Sequence, residues 1–173
     1  KYQSIFKNNI KLININQKEY VNPCIAYNTG IYHSTGDILI VQNSEVMYID
    51  DIIKYTVENL KENDYFSYTC VGSDSFLTNQ TIGDLVTSKD DYLKNYTAIK
   101  QMLTTTNISG NTIKNVQRLG YLNHKEYLPT LYHYCCAIYR KKMIEIGGFD
   151  SDYKNGICFD DNDIVKRIIK KNC

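Results

Sequence analysis

Apolar and polar positions along the chain switch repeatedly between a strand-like and a helix-like period. Ile10-Lys11-Leu12-Ile13-Asn14-Ile15 is short and β-branched, and predicts a strand. Residues 23–35 read as a helix, with Pro23 in the first turn and Ala26, Gly30 and His33 on one face. Asp37-Ile38-Leu39-Ile40-Val41 is an apolar run between Gly36 and the polar Gln42-Asn43-Ser44-Glu45, which predicts a buried strand with parallel neighbours. From Tyr48 to Lys61, Ile53, Val57 and Leu60 recur at i, i+4 and i+7 and mark the expected buried face of a helix. Tyr65 to Val71 predicts a strand, and Lys89 to Leu103 a helix with Ser88 and Asp91 placed as a capping box. Residues 104–127 are polar and weakly periodic and read as a long loop. Leu131 to Tyr139 predicts a strand, and Lys141 to Ile146 a short helix stopped by Gly147. In the last predicted helix, Asp160 to Lys171, acids lead and bases follow, the order that complements the helix dipole.

Strands that alternate with helices predict an α/β fold with a mainly parallel sheet, in a single domain spanning 1–173. Ligands of such sheets bind beyond the carboxyl ends of the strands. One strand delivers Asn43-Ser44-Glu45 to that edge, and another leads to Gly147-Gly148 and the acids at 160–163. A net charge of +1 gives no broad electrostatic capture of nucleic acid. No apolar run approaches the roughly 20 residues of a membrane span, and no secretory signal pattern stands at the start. The cytoplasm, or the cytoplasmic face of a membrane, is the expected compartment. The chain opens on Lys1, and the expectation is a piece of a longer protein. None of the six cysteines forms a C-x-x-C pair, so they read as small buried residues in a reducing compartment rather than zinc ligands.

Two polar clusters bear on chemistry. Asn43 and Glu45 offer oxygen ligands to a hard divalent cation, Mg²⁺ or Mn²⁺, or orient a diphosphate. Alternatively, Ser44 caps the following helix and Glu45 sits in its first turn. Asp160, Asp161 and Asp163 exceed what a helix cap needs. Either one of them is a general base for a hydroxyl, or the group is a solvated acidic turn. Asn123, His124 and His133 stand beside tyrosines in Tyr121-Leu122-Asn123-His124 and Tyr132-His133-Tyr134, a mixture of ring faces and polar edges suited to a sugar.

The residues Asn28-x-Gly30, Ser34-Thr35-Gly36-Asp37-Ile38, Asn43-x-Glu45, Gly147-Gly148-Phe149-Asp150 and Asp160-Asp161-x-Asp163 with Arg167 follow one another in an order that resembles a family 2 glycosyltransferase of the GT-A fold. The resemblance covers nearly the whole chain. It implies a three-layer α/β/α fold and inverting transfer of a sugar from a nucleotide-diphosphate sugar to a hydroxyl of a glycan, lipid or protein acceptor. It also implies Asp161 as the base with Asp160 tuning it. Glu45 is then the ligand of a divalent metal. Asn28, Gly30, Asn43, Gly147 and Gly148 fall on the donor side, and Asn123, His124 and His133 near the acceptor. The family's N-terminal nucleotide-binding strand–helix unit would precede Lys1, and a further metal-site histidine would follow Cys173. A catalytically silent carbohydrate-binding or scaffold module derived from such an enzyme is the alternative. A nucleotidyltransferase fits the glycine pair and acid cluster poorly.

Overall fold

The computed structural model describes residues 10–16, 19–71, 76–109, 121–126 and 128–171. Helix α1 (Cys24–His33) leads into strand β1 (Ile38–Gln42), helix α2 (Ile52–Asn59) and strands β2 (Tyr65–Ser67) and β3 (Cys70–Val71). Helices α3 (Phe76–Leu85) and α4 (Lys89–Ser109) follow, then strands β4 (Tyr121–Leu122) and β5 (Cys135–Tyr139). Helix α5 (Arg140–Glu145), a 3-10 turn (Ser151–Asn155) and helix α6 (Asp160–Lys170) complete the mixed α/β fold. Among the described residues no helix is long and apolar enough to cross a membrane.

The sheet corrects the expectation of mainly parallel pairing. Its order is β1-β5-β2, and β5 runs antiparallel to both neighbours. The apolar run at 38–41 reported burial, which says nothing of strand direction. β5 is covered from Cys135 to Ile138 because it is the middle strand. The register pairs Gln42 with Cys135 and Ser67 with Cys136. The ends of β1 and β2 and the entrance to β5 therefore share one edge. The expected strand at 65–71 breaks at Tyr68-Thr69, and its second half, β3, pairs with β4 in a separate two-stranded sheet.

Other expectations shift for identifiable reasons. Residues 10–16 form no strand: Ile10 and Leu12 lie exposed, and β-branched composition needs a ladder partner to become a strand. Of the expected buried face of α2, Ile53 and Val57 lie exposed, and only Leu60, at the C-cap, is buried. The helix docks instead through buried Thr56, whose hydroxyl bonds the Ile52 carbonyl and the Tyr68 hydroxyl. Helix α4 begins with the expected Ser88–Asp91 capping pair and runs on to Ser109, into the segment read as loop. Residues 110–120 of that loop lie outside the described residues. The rest holds β4 and a bridge between His124 and Leu128. Helix α3 carried no clear periodic signal in the sequence.

The main core joins Cys24 and Ile31 of α1, Leu39 and Val41 of β1, Cys136 and Ile138 of β5, Met143, Ile146 and Phe149, and Ile164 and Ile168 of α6. The glycine pair is a helix stop. Gly147 N–H donates to the Ile144 carbonyl and Gly148 N–H to the Met143 carbonyl, a Schellman closure, with both glycines at positive φ (85° and 66°). A Cβ on Gly148 would stand 2.6 Å from Asn28 Oδ1, whereas one on Gly147 would meet nothing within 4 Å. Arg167 locks the same loop: its Nη1 donates to the Ile146 and Gly148 carbonyls at 2.7 and 2.6 Å, while Nε donates to Asp163.

Urea unfolding is expected to show a graded pair of losses. Gly147→Ala should cost about 1–2 kcal/mol from backbone strain alone. Gly148→Ala should cost about 3 kcal/mol or more, because it adds two disturbed hydrogen bonds at Asn28. Equal losses would contradict the Asn28 contact.

Candidate functional site

The site lies at the edge where β1 ends and β5 begins. Beyond β1, Asn43 N–H donates to the Tyr134 carbonyl at 2.9 Å, which extends the ladder by one step. Asn43 Nδ2 donates to Glu45 Oε1 at 2.9 Å, and Ser44 Oγ to Glu45 Oε2 at 3.3 Å. A bond from its own backbone first, then these side-chain bonds, hold the Glu45 carboxyl below the usual range, so it is ionised at neutral pH. The capping alternative for Ser44 falls away, because Asp51 caps α2 through Lys54 N–H.

The acids of α6 divide their work by helix geometry. Asp160 lies on the buried face with Ile164 and Ile168, four and eight residues on. Its Oδ1 accepts from Asn22 Nδ2 at 2.8 Å. Asp163 pairs with Arg167 at i,i+4 and is structural. Asp161 faces His133: its Oδ1 accepts from His133 N–H at 3.3 Å and lies 2.5 Å from His133 Nδ1. That second approach is a close contact off the ring N–H axis rather than an aligned hydrogen bond. Asp161 Oδ2 takes no hydrogen bond from any described residue, and the Asp161 side chain is 28% exposed.

His133 is thus clamped between carboxylates, with Nε2 also 3.9 Å from Asp160 Oδ2. Donor atoms of His133, Asp160 and Asp161 lie within 4.8 Å of one another. The two ring nitrogens address different acids, however, so an ion here would take only one of them. The imidazole also packs edge-on against Tyr27 and Phe149, with ring centroids 5.0 and 4.8 Å away.

Tyr27 joins the two halves of the site, and sequence reasoning missed it. Its hydroxyl donates to Asn43 Oδ1 at 2.5 Å while its ring meets both His133 and Phe149. The expected α1 face through Ala26, Gly30 and His33 hid it. The buried face runs through Cys24 and Ile31, a spacing of seven that places Tyr27 inward. Asn22 was missed as well; a polar residue just before a helix reads as a cap, and its Oδ1 does accept from Cys24 N–H.

Several expected ligand-binding residues have other employment. Asn28 clamps the Phe149 backbone, accepting from its N–H at 2.8 Å and donating to its carbonyl at 2.6 Å. Gly148 makes its close approach to Asn28, and Gly147 closes α5. Gly30 is exposed, with nothing near it. Buried Asn123, at φ 56°, stitches loops: it donates to the Tyr68 and Tyr132 carbonyls and accepts from Thr130 Oγ1 and Tyr132 N–H. His124 Nδ1 accepts from Glu126 N–H in a local turn. Of the expected acceptor-side residues, only His133 joins the acids. Burial pushes the Cys135 and Cys136 thiols up to about 11 and about 12, which leaves them protonated and unreactive at neutral pH.

Burial, then the charges of Glu45, Asp161 and Asp160, push the Tyr27 hydroxyl up to about 12. Tyrosines of an unfolded chain ionise near pH 10, at about their unperturbed value. The stability owed to the neutral Tyr27 hydroxyl is therefore complete below about pH 10 and is lost as pH rises toward 12. In thermal melts, the advantage of the wild type over Tyr27→Phe should be constant from about pH 7 to 9 and shrink above about pH 10. An unchanged difference at high pH would contradict this environment. No family model, no curated protein and no solved structure matches the chain.

Proposed function

We propose that the chain is the catalytic part of a glycosyltransferase that moves a sugar from a nucleotide-diphosphate sugar to an acceptor hydroxyl with inversion. One observation carries this reading. Asn43-x-Glu45 and Asp160-Asp161, more than a hundred residues apart, meet at one sheet edge through Tyr27 and His133. The motif order along the chain supports it independently.

Asp161 Oδ2 takes the proton of the acceptor hydroxyl. The acceptor oxygen uses its electron pair to bond the anomeric carbon from the face opposite the donor bond. The carbon–oxygen bond to the diphosphate breaks, and the nucleoside diphosphate leaves with that pair. His133 fixes Asp161 through its backbone N–H and ring, so the carboxylate keeps its aim. Asp160, held by Asn22, places a second carboxylate beside the imidazole and helps to fix the ring. Glu45 is the residue suited to hold a divalent cation: it is ionised, exposed and a hard oxygen donor. Asn43 Oδ1, taken by Tyr27, is a weaker second ligand. When bound, the cation supplies charge neutralisation for the leaving diphosphate.

That single acid is also what favours the second reading, a catalytically silent carbohydrate-binding or scaffold module. Both are tested on the intact protein. Asp161→Asn is isosteric and should keep the fold, by circular dichroism, while lowering transfer by about 10²–10⁴-fold. EDTA should abolish transfer, and Mg²⁺ or Mn²⁺ should restore it. Undiminished transfer in Asp161→Asn would sink the base assignment. Absence of both transfer and donor hydrolysis in the wild type would favour the silent module.

A further inference from the structure

A cavity of about 990 Å³ opens beside Glu45, with Tyr134, the residue after His133, in its lining. It lies at the upper end of the roughly 300–1,000 Å³ of small-molecule sites, with room for more than one sugar ring. Tyr48, Tyr55, Tyr68 and Tyr134 line it, with Met47, Ile49, Ile52 and Ile82 between them. The charged side chains of its lining are Glu45, Asp50 and Asp51, and no described lining residue is Lys, Arg or His.

The walls are preformed. The Tyr92 hydroxyl donates to the Tyr48 carbonyl at 2.5 Å, and Asp50 accepts from the Tyr96 hydroxyl at 2.6 Å and Lys100 Nζ at 3.1 Å. These bonds tie the segment after Glu45 to α4. Two large side chains nevertheless stay in solvent at this cavity, Met47 at 42% exposure and Tyr55 at 55%. Tyr134 links the cavity to the base: it lines the cavity, follows His133 in the chain, and its carbonyl accepts from Asn43 N–H at 2.9 Å.

We propose that this cavity is the acceptor pocket of the transferase reading, on which the inference rests, and that it takes an uncharged oligosaccharide. Tyrosine faces stack on the C–H faces of sugar rings, and their hydroxyls and the neighbouring carboxylates bond sugar hydroxyls. Lys100 offsets Asp50, but Glu45 and Asp51 leave the donor-free lining net negative, which disfavours a lipid phosphate or a sulfated or sialylated glycan. The same carboxylates would lose hydration against a bare hydrocarbon chain.

The test is donor-free binding of the intact protein to an array of neutral di- to tetrasaccharides, their sulfated and sialylated counterparts, and detergent-dispersed polyprenyl phosphate. Neutral glycans should bind selectively. Tyr55→Ala should weaken that binding at least about tenfold, and Tyr55→Phe should keep it, since stacking survives loss of the hydroxyl. Tyr55 is half exposed, so both variants should fold. Capture of only charged glycans or polyprenyl phosphate, or equal binding by Tyr55→Ala, would overturn the proposal. Neutral-glycan binding without transfer from any nucleotide sugar would overturn the enzyme reading and leave the pocket standing. Transfer to an acceptor that Tyr55→Ala binds as well as the wild type would do the reverse.

Discussion

The two hydrogen bonds between the Asn28 amide and the Phe149 backbone are the constraint on which the site depends. They join α1 to a loop 121 residues later. One planar amide offers a donor and an acceptor, which match the N–H and carbonyl of one residue. The match fixes Phe149 in position, and the buried Phe149 ring becomes a wall for both Tyr27 and His133. It also leaves no room for a side chain at 148, which is why the helix stop there uses a second glycine. Arg167 completes the arrangement by holding the Gly148 carbonyl from α6. The loop is therefore fixed from α1 on one side and from the acid-bearing helix on the other.

From this anchor the polar chemistry is laid out in one direction. Asp161 touches His133, His133 packs on Tyr27, and Tyr27 donates to Asn43, which in turn holds Glu45. Each contact is short and specific, and together they span both acidic motifs. Buried or half-buried carboxylates gathered without a matching cation are unfavourable for stability. Arg167, on the same helix as the acids, is committed to Asp163 and backbone carbonyls. The proposed function gives this accumulation a role, as a place for a ligand that brings positive charge or donates hydroxyls.

Much of this was legible in the sequence, and the illegible part has physical causes. The last helix, its acid-first polarity, the capping pair at Ser88 and Asp91, and the glycine stop after α5 follow from local rules and appear where expected. Strand direction did not follow, because a run such as Ile38-Leu39-Ile40-Val41 encodes burial alone. The face of α2 was misplaced because Thr56 buries its hydroxyl on partners that no periodicity reveals. Within the site, Asp160, Asp161, His133, Asn43 and Glu45 were visible as residue types in motifs. Tyr27 and Asn22 were not, since their roles arise only from contacts across 106 and 138 residues. Asn28, Gly148 and Asn123 show the converse: polar or glycine positions that resemble ligand contacts turn out to satisfy the backbone.

The central claim is that Glu45 and the His133–Asp161 pair belong to a single site bridged by Tyr27. The most direct measurement is paramagnetic broadening of assigned proton resonances in the intact protein, using Mn²⁺ with a nucleoside diphosphate. The account predicts broadening of the ring protons of Tyr27 and His133, and loss of the effect in Glu45→Gln. Broadening that leaves Tyr27 and His133 untouched, or that persists unchanged in Glu45→Gln, would contradict it.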